Sequence, residues 1–255
     1  DRSRHFFGDV IVGIRYGSDK ISARPSGGKI VRNSGSFMQF MGSVEFAESF
    51  QPRKRIAHVL FDFDGTLSLI RQGWPEVMVP MLVEYLQDAS GESPDELRRL
   101  AWDDIMRLNG KQTIYQMIQL AERIRERGGS PREPLWYKHE YLRRLNERIE
   151  SRKESIQADQ TTADAFVVFG ARNALRLLTN RGLTLHLASG TDESYVKEEA
   201  ELLGIAKYFE GRIHGARDDY QNFSKQMIID RILEAPDVSG ESLLAFGDGY
   251  VEIEN

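Results

Sequence analysis

The sequence predicts an α/β fold: a parallel sheet with helices on both faces, interrupted by an all-helical insertion. Three observations predict it. A short apolar strand at Ile56–Phe63 ends in two carboxylates. The stretch 70–158 then reads almost entirely as helix. From 159 onward strands and helices alternate, and alternation of this kind implies right-handed crossovers and a sheet covered on both faces.

The elements follow in order. Pro75–Gln87 places Val77, Val79, Met81, Leu82, Tyr85 and Leu86 at helical spacing, with Pro75 suited to a first turn. Ser93-Pro94-Asp95-Glu96 is a helix start, Ser93 capping and Glu96 standing three residues on; that helix runs to about Leu108 and stops near Gly110. A third helix covers Lys111–Arg127 and ends at Gly128-Gly129, and a fourth spans about Trp136–Lys153. Helix Gly170–Arg181 leads to strand Leu183–Ala188, a turn at Ser189-Gly190-Thr191, and helix Asp192–Leu203. A strand near Arg212–His214, a helix Ser224–Leu233 and a strand Ser242–Phe246 complete the series.

Residues 1–50 differ in character. They are rich in Gly and Ser, with short β-like runs at Asp9–Tyr16, Lys29–Val31 and Phe37–Phe40 between the breaks. They read as the tail of a preceding domain or a linker, and the apolar run Val10–Ile14 favours the tail. Ser26-Gly27-Gly28-Lys29 lacks full phosphate-loop spacing and reads as a turn.

The bulk composition narrows the function. A net charge of −5 over 255 residues gives no electrostatic reason to expect nucleic acid or an acidic membrane as partner. The basic run Arg53-Lys54-Arg55 is short enough to be solvated linker. The absence of cysteine excludes disulfides, thiolate metal sites and a cysteine nucleophile. No run is apolar enough to span a bilayer and no signal-peptide pattern opens the chain, so the cytoplasm is the expected compartment. The chain starts at Asp1 and stops at Asn255 directly after a glycine-rich acidic loop, and reads as a piece of a longer protein with further domains.

Chemistry concentrates in Phe61-Asp62-Phe63-Asp64-Gly65-Thr66. Strand periodicity sends Asp62 and Asp64 to the same side, where two like charges repel unless a cation holds them. Ligands of open parallel sheets sit at the C-terminal ends of the strands. Here Asp62 and Asp64 follow the first strand, Ser189 and Gly190 the second, and Asp248, Gly249 and Glu252 the last, while Lys225 starts the helix before it. Each has a plainer reading: a turn for Asp64-Gly65-Thr66, a helix cap for Ser189, a solvated helix start for Lys225. His214 reads as a satisfied structural histidine. The convergence of the others on one crevice is what favours chemistry.

These residues resemble, in order, the four motifs of the haloacid dehalogenase (HAD) superfamily. Asp62-Phe63-Asp64-Gly65-Thr66 matches the first, Leu185–Gly190 the second, Lys225 the third, and Phe246–Glu252 the fourth. The resemblance covers 56–255 and implies a Rossmann-like core at 51–69 and 159–255, with a helical cap of the C1 type at 70–158. It implies Asp62 as nucleophile, Asp64 as general acid and base, and Lys225 neutralising charge. Thr66, Ser189, Gly190 and Lys225 would hold the phosphate. Mg²⁺ would be held by Asp62, the Asp64 carbonyl and Asp248, with Glu252 a further candidate, although it departs from the aspartate that is commoner there. Asp64 favours a phosphatase over a dehalogenase, since carbon–halogen cleavage needs no acid there. The implied reaction is Mg²⁺-dependent hydrolysis of a small phosphorylated metabolite through an aspartyl phosphate. A phosphomutase and a non-catalytic module of a larger protein remain the alternatives. Arg71, Gln72 and Trp74 stand at the cap entrance as candidates for substrate contact. The family's sheet usually has one more strand after the fourth motif, so the strand 242–246 is expected to leave an apolar edge.

Overall fold

A computed structural model describes residues 55–89, 91–235 and 238–248. The 1–50 segment with its expected β-like runs, and Glu252 with the rest of the fourth motif beyond Asp248, lie outside the described residues.

Among the described residues the sheet is parallel and four-stranded, in the order β3-β2-β1-β4. The strands are β1 (His58–Phe61), β2 (Thr184–Asp192), β3 (Ile213–Ala216) and β4 (Leu243–Phe246). Alternation along β1 sends Val59 and Phe61 to one face and Leu60 to the other. The first face packs with Leu185, Leu187, Val196, Ala200 and Phe209, and the second with Ala188, Ile228, Ile229 and Ile232. Helices α5 (Ala171–Asn180) and α6 (Glu193–Leu202) pack on the first face; α7 (Lys225–Leu233) covers the second. The expected α/β architecture is therefore what the chain forms.

Between β1 and β2 stand α1 (Pro75–Gln87), α2 (Pro94–Arg107), α3 (Thr113–Glu126) and α4 (Pro134–Ala158). Helix α1 has the bounds its pattern predicts, with proline in the first turn. Ser93 and Glu96 form the expected reciprocal cap on α2. Helix α4 is longer than expected at both ends. Pro134 extends its start, and Ile149, Lys153 and Ile156 carry the buried stripe to its last turn. A 3₁₀ turn at Gln160–Phe166, which periodicity does not reveal, returns the chain to the sheet. The outgoing and returning segments pair there: Leu69 N donates to Phe166 O and Val168 N to Leu67 O. The apolar core runs unbroken from the sheet into the insertion, from Val59 and Phe61 to Met78, Leu86, Ile105 and Leu145. No described helix is long and apolar enough to cross a membrane.

One expected element differs. Ser189-Gly190-Thr191 is not a turn after β2 but part of it. Asp192 pairs with Ala216, and the register shifts between Ala188 and Asp192, so the three residues bulge off the ladder. Pairing beyond the bulge carries the strand onward.

His58 and His186 meet on the α7 side of the sheet, Nδ1 to Nε2 at 3.2 Å. Burial, with His58, Arg212 and His214 nearby, holds His186 down to about 4. In the unfolded chain it titrates near 6.5, so above that pH the group adds no pH dependence. As pH falls from about 6.5 towards 4, the unfolded chain takes up the proton first and stability declines. Urea midpoints measured across that range are expected to drop. His186→Asn is expected to flatten part of the slope; an unchanged slope contradicts the assignment.

Candidate active site

Register aligns the strand ends. Phe61 pairs with both Leu187 and Phe246, so the residues that follow each strand emerge together at the C-terminal edge. Asp62 follows Phe61, Ser189 comes just beyond Leu187, and Asp248 comes just beyond Phe246. Asp62 N donates to Phe246 O at 2.9 Å, which fixes the first motif against β4. Asp62, Asp64, Gly65, Ser189, Gly190, Thr191 and Asp248 all border one cavity of about 550 Å³.

Each carboxylate has its own partner. Lys225 is capped into α7 by Ser224, whose Oγ accepts from Met227 N, and its Nζ donates to Asp62 Oδ1 at 2.9 Å. Both are buried. Thr191 Oγ1 donates to Asp64 Oδ2 at 2.7 Å, while Asp64 Oδ1 is buried without a hydrogen-bond partner. Burial pushes the Asp64 carboxyl up to about 6, against the opposing pull of Arg71. It is therefore part-protonated near neutral pH. Two carboxyls two residues apart thus sit in unlike surroundings.

Gly65 admits Asp248. It adopts φ +79°, and a Cβ built on it would lie 2.2 Å from Asp248 Oδ2. Only glycine lets that carboxylate approach the first motif so closely. Gly190 performs the same service for the insertion: a Cβ there would lie 2.6 Å from Lys111 O. Ser189 is buried, and its Oγ accepts from Thr191 N at 3.1 Å.

Not every expected residue joins the cavity. Thr66 is absent from its lining, and the Thr66 hydroxyl is buried without a partner. Lys225 is also absent from the lining and reaches the site through Asp62. His214, expected to be structural, sits half-buried in β3 off the lining. Gln72 and Trp74 border the cavity as expected. Arg71 borders it too, but its Nε and Nη2 are bound to Glu199 on α6 at 2.7–3.2 Å. The pairing leaves only part of the guanidinium for a ligand. Among the described residues no three His, Cys, Asp or Glu side chains are grouped so as to hold a metal ion. Of the expected ion set the described residues include two side-chain carboxylates, Asp62 and Asp248, with the Asp64 main-chain carbonyl; Glu252 lies outside them.

Sequence reasoning passed over Thr191, which it read as a turn residue, and the insertion loop Asn109–Lys111 with Thr113 and Gln116, which roof the cavity. The Asn109-Gly110 dipeptide signals a turn there but not what the turn faces.

A family model described as haloacid dehalogenase-like hydrolase matches residues 56–254. Nothing among curated proteins matches. Among solved structures, the chain is similar to a predicted phosphatase from Clostridium acetobutylicum (16% identity, 75% of each chain, TM-score 0.44). It is similar also to a HAD phosphatase from Thermococcus onnurineus (18% identity, 76% of this chain and 78% of that one, TM-score 0.43). A third is a haloacid dehalogenase-like hydrolase from Streptococcus pneumoniae (16% identity, 75% of each chain, TM-score 0.43). Likeness at this level carries no argument about activity; the match over 56–254 and the motifs at the strand ends do the assigning. The chain belongs to the haloacid dehalogenase-like hydrolase family.

Proposed function

We propose that the protein is a Mg²⁺-dependent phosphatase acting on a small phosphorylated metabolite, with 70–158 as a cap over a core formed by 51–69 and 159–255. The observation that carries this reading is the unlike partnering of Asp62 and Asp64 on one cavity wall. Asp62, oriented by the Lys225 ammonium, attacks phosphorus and becomes the aspartyl phosphate, with the P–O bond to the leaving group breaking. Asp64, part-protonated through burial, gives its proton to the leaving oxygen and then takes one from the water that cleaves the acyl phosphate. A dehalogenase has no use for that acid. Ser189 and the bulged backbone beside it hold the phosphate oxygens. The tight approach of Asp248 to Gly65 and the oxygen-only donor set of Asp62, Asp248 and the Asp64 carbonyl suit a hard divalent cation. Mg²⁺ bound there supplies charge neutralisation between phosphate and carboxylates.

The insertion limits what enters. Asn109, Lys111, Thr113, Gln116, Tyr141 and Leu145 close the cavity to about 550 Å³, a volume for a small molecule rather than a protein surface. A panel of phosphorylated sugars, nucleotides and small acids with Mg²⁺ is expected to give phosphate release that EDTA abolishes. Release undiminished by EDTA, or an isomerised substrate with no phosphate freed, contradicts the reading. Gly190→Ala forces either the bulge or the Lys111 backbone to move. It is expected to lower kcat/KM by about 10²-fold with the fold retained; wild-type turnover contradicts the close fit seen there.

A further inference from the structure

Lys138, on α4, is 1% exposed, which is unusual for a lysine. Its Nζ lies 2.8 Å from Asp192 Oδ1 and 2.9 Å from Asp218 Oδ1. Asp192 closes β2 directly after the Ser189–Thr191 bulge, and Asp218 follows β3. One lysine of the insertion thus ties together the end of β2 and the loop after β3, both beside the active site. His139 adds a weaker approach to Asp218, Nε2 to Oδ2 at 3.5 Å.

A second tie lies nearby. Gln112, the residue before α3, is buried and donates Nε2 to Phe223 O at 2.7 Å and to Tyr220 O at 3.2 Å. Tyr115 meets Tyr220 edge-on, centroids 6.0 Å apart. The segment 218–223 is therefore gripped by the insertion at two points. The next residue, Ser224, caps α7, and Lys225 then reaches Asp62.

The energetics suit a joint that opens and shuts. Burying an ammonium is costly, and its ion pairs roughly offset that cost. Asp218 is 59% exposed, so once separated from Lys138 it is readily hydrated. Such a contact is close to balanced and responds to small biases.

We propose that Lys138 and Gln112 form a two-point latch. With the cap shut, they hold the 218–224 segment, and through it Lys225, where it serves Asp62. Both are positioning residues, since neither borders the cavity. The inference rests on the catalytic reading of Asp62 and Lys225, but the latch can be measured without turnover.

The chain has no cysteine, so spin labels can be attached through Asp103→Cys on α2 and Glu234→Cys after α7, both exposed sites. Asp218→Lys, at an exposed position outside the catalytic machinery, is expected to shift the label distances to longer values; Asp218→Glu keeps them. Gln112→Ala lengthens them as well. With p-nitrophenyl phosphate and Mg²⁺, Asp218→Lys is expected to lower kcat about tenfold with KM within about threefold, and Asp218→Glu to stay within about twofold of the parent. A general loss of packing would not follow the sign of the charge at 218. Unchanged distances in Asp218→Lys and Gln112→Ala overturn the latch, whatever the turnover. Distances that shift as stated, in a parent that releases no phosphate, support the latch and sink the phosphatase reading instead.

Discussion

An Asp62→Asn variant is expected to lose about 10⁴-fold or more in turnover while its far-UV circular dichroism stays that of the parent. The amide has the shape of the carboxylate and can still accept from Lys225 Nζ, which lies 2.9 Å from Oδ1 in the parent. What it lacks is the anionic oxygen that attacks phosphorus in the proposed mechanism. Asp64→Asn probes the other role. It removes the proton donor that burial supplies, so losses of about 10²–10⁴-fold are expected with alkyl phosphates. The loss is expected to be smaller with p-nitrophenyl phosphate, whose leaving group needs little help. Activity within tenfold of the parent in Asp62→Asn removes Asp62 as nucleophile. Equal losses for both leaving groups in Asp64→Asn remove Asp64 as acid.

The largest expected change in stability lies at Arg71 and Glu199. Their side chains are 4% and 0% exposed and joined by three hydrogen bonds, two from Nε and one from Nη2. Arg71 sits on the segment leaving β1 for the insertion, and Glu199 sits on α6 beneath it. Glu199→Leu leaves a buried guanidinium without its hydrogen-bond partner, with the Asp64 carboxyl and the Tyr195 ring nearby. The expected loss is about 3–5 kcal/mol, which for a chain of this size lowers Tm by on the order of 10 °C. The double variant Arg71→Met/Glu199→Leu is expected to recover most of that loss, because a buried pair exchanged for apolar groups is close to neutral. Urea unfolding of both variants decides it. A Glu199→Leu loss below about 1 kcal/mol contradicts a buried, dependent pair.

Local signals were legible and pairings across the fold were not. Pro75 and the apolar stripe fixed α1, and Ser93 with Glu96 fixed the start of α2, because those signals act within one turn. The strand-end carboxylates and Ser189 were legible because a parallel sheet brings its strand ends together whatever the intervening lengths; Lys225, at the start of α7, was legible only through its place in the motif series. The bulge at 189–191 was not. A Ser-Gly-Thr run reads as a turn until Asp192 is seen pairing with Ala216. Thr191 was missed for the same reason, though its hydroxyl binds Asp64. Arg71 looked like a residue for substrate, yet Glu199, 128 residues on, takes its Nε and Nη2. No local pattern announces that partner, since it depends on how the insertion docks. Lys138 is a similar case, one lysine on a helix rich in charge whose burial depends on Asp192 and Asp218.

The central claim is that Asp62 accepts a phosphoryl group beside an ion shared with Asp248. A crystal structure grown with Mg²⁺ and beryllium fluoride tests it most directly. The account predicts trifluoroberyllate on an Asp62 carboxylate oxygen and Mg²⁺ touching Asp62, the Asp64 carbonyl and Asp248. Beryllium fluoride on another residue, or Mg²⁺ bound with Asp248 turned away from Gly65, would contradict it.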